Sequence, residues 1–139
     1  MMSVRFLKLA ALYLAIGIGM GLYMGITENF TLRPVHAHLN LLGFATLALA
    51  GVVYHLHPAA ATTRLAHIHF WLHNLGLPVL MASLALLVSG HAMFAPIVGV
   101  ASMVVGAGVL LFVVNVWINV KAQRRTGEPE LALSSGARA

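Results

Sequence analysis

Four long apolar stretches, parted by short polar breaks, set the pattern of this chain. They cover about 6–26, 35–56, 66–89 and 93–118. A helix needs ~20 residues to cross the ~30 Å of hydrocarbon in a bilayer. The apolar runs are continuous rather than alternating, which excludes the strands of a membrane barrel. Lipid offers the backbone no hydrogen-bond partner, whereas a helix satisfies its own. The pattern therefore predicts an all-α integral membrane protein with a four-helix transmembrane domain over 1–120. The remainder, "KAQRRTGEPELALSSGARA" (121–139), is polar and rich in small residues, and is expected to be a disordered basic cytoplasmic tail.

Composition agrees with the pattern. The chain is 60% hydrophobic and 8% charged, against about a quarter charged in soluble domains. Arg5 and Lys8 before an apolar run imitate a signal peptide, but the run is long and no A-x-A site follows. It reads as a retained first helix. With four spans both termini share a side. That side would hold Arg5, Lys8, Arg64, Lys121, Arg124, Arg125 and Arg138, and the other only Arg33. The positive-inside rule then predicts cytoplasmic termini, and the expected location is a bacterial-type inner (plasma) membrane. The net charge of +5 is thus a matter of topology, and no nucleic-acid partner is expected.

Within the spans, Gly17, Gly21 and Gly25 recur every four residues, a stripe that lets helices approach closely. Asn115 and Asn119 share a face and are expected to hydrogen-bond between helices. Trp71 and Trp117 suit interfacial anchors. Pro34 opens the second span and Pro58 marks its end. The lack of Cys removes disulfides, thiolate metal sites, Fe–S clusters and c-type haem attachment. The only carboxylates are Glu28 in the first loop and Glu128 and Glu130 in the tail. That speaks against a proton-pumping route built on buried carboxylates.

The candidate chemistry lies in eight histidines. His36 and His38 begin the second span on the outer side, and His91 ends the third on the same side. His55 and His57 end the second span on the inner side, His67 and His69 begin the third, and His73 is deeper. His73 and His91 are 18 residues apart, or ~27 Å of helix. The chain thus offers an outer set of three and an inner set of five. A helix turns ~100° per residue, so His36 and His38 point ~200° apart and must face different clefts. His69 and His73 share one face, a spacing that can bind a metal ion or line a polar channel. A lone imidazole in a membrane often only hydrogen-bonds, and that reading suits the inner set. Two that flank one helix at one depth are hard to explain as packing, because ionisable groups there are costly.

Three segments resemble the haem–copper oxidase and nitric oxide reductase catalytic subunit family. "HAHLNLLGF" (36–44) resembles its His-x-His-Leu-x-x-x-Gly pattern. "GVVYHLHPAAATTRLAHIHFW" (51–71) resembles the link between two core helices of the C-type oxidases. "SGHAMF" (89–94) resembles the turn that supplies metal ligands. Together they span about 33–96, in the family's order. In that family the His-x-His binds two different haems. The resemblance therefore implies His36 and His38 as haem-iron ligands, and His91 as a ligand of the haem iron or an adjacent metal, or a residue supporting one. This chain has four spans where the family's subunit has twelve, and one histidine in the turn rather than two. The twelve helices form three arcs of four, so the chain corresponds to one arc of a haem–copper-oxidase-like ring.

The expected function is b-type haem binding in the bilayer, for electron transfer or for binding or reducing NO or O2. Copper is a further candidate cofactor. A redox partner or a quinone would exchange electrons with it. The expected assembly is a homotrimer, with a dimer second. The alternatives are a copper- or zinc-handling protein using His55, His57, His67, His69 and His73, with Met20, Met24, Met81 and Met93 as soft ligands, or a non-catalytic bundle that joins a larger partner.

Overall fold

The computed structural model describes residues 2–121 of the 139-residue chain. The expectation of a disordered tail falls, Lys121 apart, outside the described residues. Four helices are long and apolar enough to cross a membrane: Met2–Thr27, Arg33–Leu56, Arg64–Val88 and Ala92–Asn119. There is no strand among the described residues. The ends form where local chemistry permits. Pro34 and Pro96 sit in first turns, where a missing N–H costs nothing. Thr63 caps the third helix, its hydroxyl oxygen accepting the Ala66 N–H at 3.1 Å. A short helix, Pro58–Ala61, joins the second helix to the third.

The core is apolar, and so is the outward surface, unlike that of a soluble bundle. Leu12, Ile18, Leu22, Leu75, Leu110 and Trp117 are all more than half exposed. In water that surface would be an association patch; in hydrocarbon it is the natural contact. The described chain has the build of a multi-pass membrane protein.

The helices form two antiparallel hairpins. In the first, glycines on one helix meet side chains on the other: Gly17 meets Asn40, Gly21 meets His36, Gly43 meets Tyr13 and Gly51 meets Leu7. In the second, Gly76 meets Val104 and Val105, and Gly108 lies against the backbone of His73. The expected stripe is therefore divided. Gly17 and Gly21 pack within the chain, while a side chain at Gly25 would meet nothing within 4 Å. An aromatic cluster joins the hairpins near the end that carries the N-terminus. There Phe6 lies 5.4 Å from Tyr54, 5.0 Å from His69 and 5.2 Å from Phe70, ring centre to ring centre.

One feature has no counterpart in the sequence pattern. The middle of the second helix, Leu39–Thr46, is a π-helix. Such wide turns interrupt α-helices mostly as short pieces, frequently at functional sites. Thr46 Oγ1 donates five residues back to the Leu41 carbonyl at 2.8 Å. Next to it, the Leu42 carbonyl is reached by His73 from the third helix at 3.0 Å.

Candidate functional site

His36, His38 and His91 all lie at the end of the bundle that carries the first and third loops. His36 is half-buried against the first helix, with Nδ1 2.9 Å from the Gly17 carbonyl. Its ring covers Gly21, where an added Cβ would stand 2.9 Å from His36 Cε1. Asn40, one turn on, donates to the His36 carbonyl at 2.9 Å. His38 is exposed on the other side of the helix, with Nδ1 2.8 Å from the Pro34 carbonyl. The divergence deduced from helical geometry is thus present: one ring turns toward the first helix and the other away from it.

His91 is placed by a glycine turn. Gly90 has φ +99°, a conformation that only glycine adopts freely. The Gly90 N–H returns to Leu87 O at 3.1 Å and the His91 N–H to Leu86 O at 3.0 Å, the double bond of a Schellman motif. His91 is exposed, and its Nδ1 also lies 3.2 Å from Leu86 O.

In all three residues the Nδ1–H faces a carbonyl, which only accepts. The proton is therefore on Nδ1, and the lone pair is on Nε2. Metal-ligating imidazoles are commonly oriented this way. His67, exposed at the opposite end, has the same arrangement, with Nδ1 2.9 Å from Thr63 O. The tautomer is thus permissive, and position distinguishes the outer histidines. Among the described residues no three His, Cys, Asp or Glu side chains gather into a group that could hold a metal ion.

The inner five do not act as one set. His55 and His67 are exposed and His57 is half-buried, whereas His69 and His73 are wholly buried. The His69 ring sits between Phe6 and Phe112, 5.0 and 5.2 Å from their centres. His73 crosses it edge-on at 5.6 Å. Tyr54 brings its hydroxyl to 3.2 Å from His69 Nδ1. Asn115 of the fourth helix donates to the Tyr54 oxygen at 3.3 Å and to the Ala60 carbonyl at 3.0 Å. Asn119 donates to Asn115 Oδ1 at 2.8 Å within its own helix. Asn115 thus forms the expected interhelical bonds, and Asn119 supports it. Of the candidate methionines, Met20 and Met81 pack with the apolar core and Met93 faces outward.

No family model, curated protein or solved structure matches the chain.

Tyr54 is a residue of this buried cluster that the sequence did not single out. The available signal was its position 15 residues before His69 across a short turn. What that spacing could not show is that both side chains turn to the same interior.

The outer histidines can be tested for fit to a haem. No helix covers the exposed His38 ring, so a flat macrocycle can approach its Nε2. His36 offers only the part of its ring that Gly21 leaves open. The two do not face one space, so a haem, if bound, would be held by one of these imidazoles from a given chain, with His38 the more open of the two.

Proposed function

We propose that this chain is a b-type haem-binding membrane protein, related to the haem–copper oxidase catalytic subunit, that serves electron transfer or the binding or reduction of a diatomic gas such as NO or O2. The observation that carries the reading is the divergence of His36 and His38. These two imidazoles lie at one depth on one helix, and each holds its Nδ1–H on a main-chain carbonyl. Each Nε2 thereby keeps its lone pair; that of His36 has the Asn40 amide 3.4 Å away, whereas the His38 ring is exposed. A bound haem would supply the redox couple and a coordination site for gas. The chain's own part is to orient the two rings and, through His91, to present a third imidazole at the same end for the iron, for copper beside it, or in support of either. Three copies closing into a ring would place the second span of each between two neighbours. The basic residues support cytoplasmic termini, the membrane would be a bacterial-type plasma membrane, and a quinone or a protein redox partner would exchange electrons with the haem.

Ligand variants test this. His36→Ala and His38→Ala should each lower haem content and shift the Soret band. His67→Ala, which loses the same kind of Nδ1–carbonyl bond at the other end, should change neither. Wild-type spectra and haem content in both outer variants would refute the ligation.

A further inference from the structure

Tyr54, His69, His73 and Asn115 are each exposed by 1% or less. Yet His69 Nε2 and His73 Nδ1 have no hydrogen-bond partner among the described residues. A polar atom left so in an apolar interior is destabilising. The neighbouring bonds decide which of the two is the donor. The Tyr54 oxygen accepts from the Asn115 amide at 3.3 Å, so its own proton is free to go to His69 Nδ1 at 3.2 Å. His69 then carries its proton on Nε2, and that unpartnered atom is a donor. His73 Nε2 lies 3.0 Å from the Leu42 carbonyl, which only accepts. His73 is therefore also protonated on Nε2, and its unpartnered Nδ1 is an acceptor. The unpartnered donor and acceptor are complementary, on rings 5.6 Å apart and one helical turn from each other.

We propose that a single water binds between His69 Nε2 and His73 Nδ1, completing a directed thread from Tyr54 to His73 along which a proton passes into the middle of the bundle. A buried water needs two to four polar partners, and one donor with one acceptor meets the lower figure. A cleft of about 360 Å³ lined by Met2, Ser3, Tyr54, His55, Pro58 and Thr62 gives the thread an entrance at the end that carries the N-terminus. Tyr54 takes a proton from the cleft as its own moves to His69 Nδ1. The Nε2–H of His69 passes to the water, and the water hands a proton to His73 Nδ1. Each O–H or N–H bond broken is matched by one formed, and the extra proton reaches His73, whose Nε2–H is held by the Leu42 carbonyl. That ring is nine residues into the third helix, ~14 Å at ~1.5 Å per residue. The thread needs no carboxylate, and the spans contain none.

A metal ion is the competing occupant. It would need a lone pair on both nitrogens, whereas the Tyr54 bond puts a proton on one of them. The thread does not rest on the haem reading, since none of its residues belongs to the outer set.

The test is NMR on the full chain with ¹⁵N-labelled histidine in lipid nanodiscs. Both His69 and His73 should show the Nε2–H tautomer, and the His69 Nε2–H should give a cross-peak to water. Its exchange with D₂O should slow about tenfold or more in Tyr54→Phe, which keeps the ring and removes the relaying hydroxyl. Added Zn²⁺ should leave both ring signals in place. The Nδ1–H tautomer at His69, absence of the water cross-peak, unchanged exchange in Tyr54→Phe, or zinc-induced shifts of both rings would each overturn the proposal. The tautomer and water readouts need no variant, so a poorly folding Tyr54→Phe would not spare it.

Discussion

Gly43 and Gly25 show how far a single residue's role depends on its neighbours. A Cβ at Gly43 would stand 2.7 and 2.8 Å from Cγ and Cβ of Tyr13, the rigid base of that side chain. A Cβ at Gly25 would meet nothing within 4 Å. Gly43→Ala should destabilise the bundle by about 1–3 kcal/mol, as overpacking does, and lower its Tm in detergent. Gly25→Ala should leave Tm unchanged or raise it, since Ala favours the helix over Gly. Equal effects at the two positions would contradict the packing described. The histidine angles were legible in sequence, because a helix converts spacing into direction. That fixed the divergence of His36 from His38 and the shared face of His69 and His73. Which face would be buried was not legible. His67 and His69 are two residues apart, yet one is exposed and the other wholly buried. Only the packing of Phe6 and Phe112 around His69 separates them.

The helices themselves were the most legible feature, because twenty apolar residues in succession admit few other structures. The described ends fall within a few residues of those expected. The π-helix of Leu39–Thr46 was not legible: a wide turn follows from tertiary demands rather than from apolar periodicity. Orientation belongs to this scale too. Arg5, Lys8, Arg64 and Lys121 lie at the end that carries the N-terminus, against Arg33 at the other. The remaining basic residues counted from sequence, Arg124, Arg125 and Arg138, are outside the described residues. A reporter fused after Lys121 should report the cytoplasm, and one inserted between Thr27 and Arg33 the opposite side. Reversed signals would invert the assignment of outer and inner histidines.

At the scale of the whole molecule, the surface raises the question of assembly. His38 points away from its own bundle, with its Nδ1 held by the Pro34 carbonyl. On the proposed haem reading, a second copy would supply the surface that covers this ring. Gly17 and Gly21 are engaged within the chain, so any contact between copies would use other surfaces. An apolar cleft of about 460 Å³ between the third and fourth helices, lined by Leu75, Val79, Ile97 and Val100 among others, is open on the outside of the bundle. Native mass spectrometry in mild detergent should find three chains with haem retained. A haem-loaded monomer, stable on dilution, would contradict an interchain site. The most direct measurement is the absorption spectrum of the purified full chain, oxidised and then reduced, after expression with haem supplied. A Soret band that sharpens and shifts on reduction, with the α band of a b-type haem, is the predicted result. A colourless protein that stays colourless when titrated with haem would contradict the account.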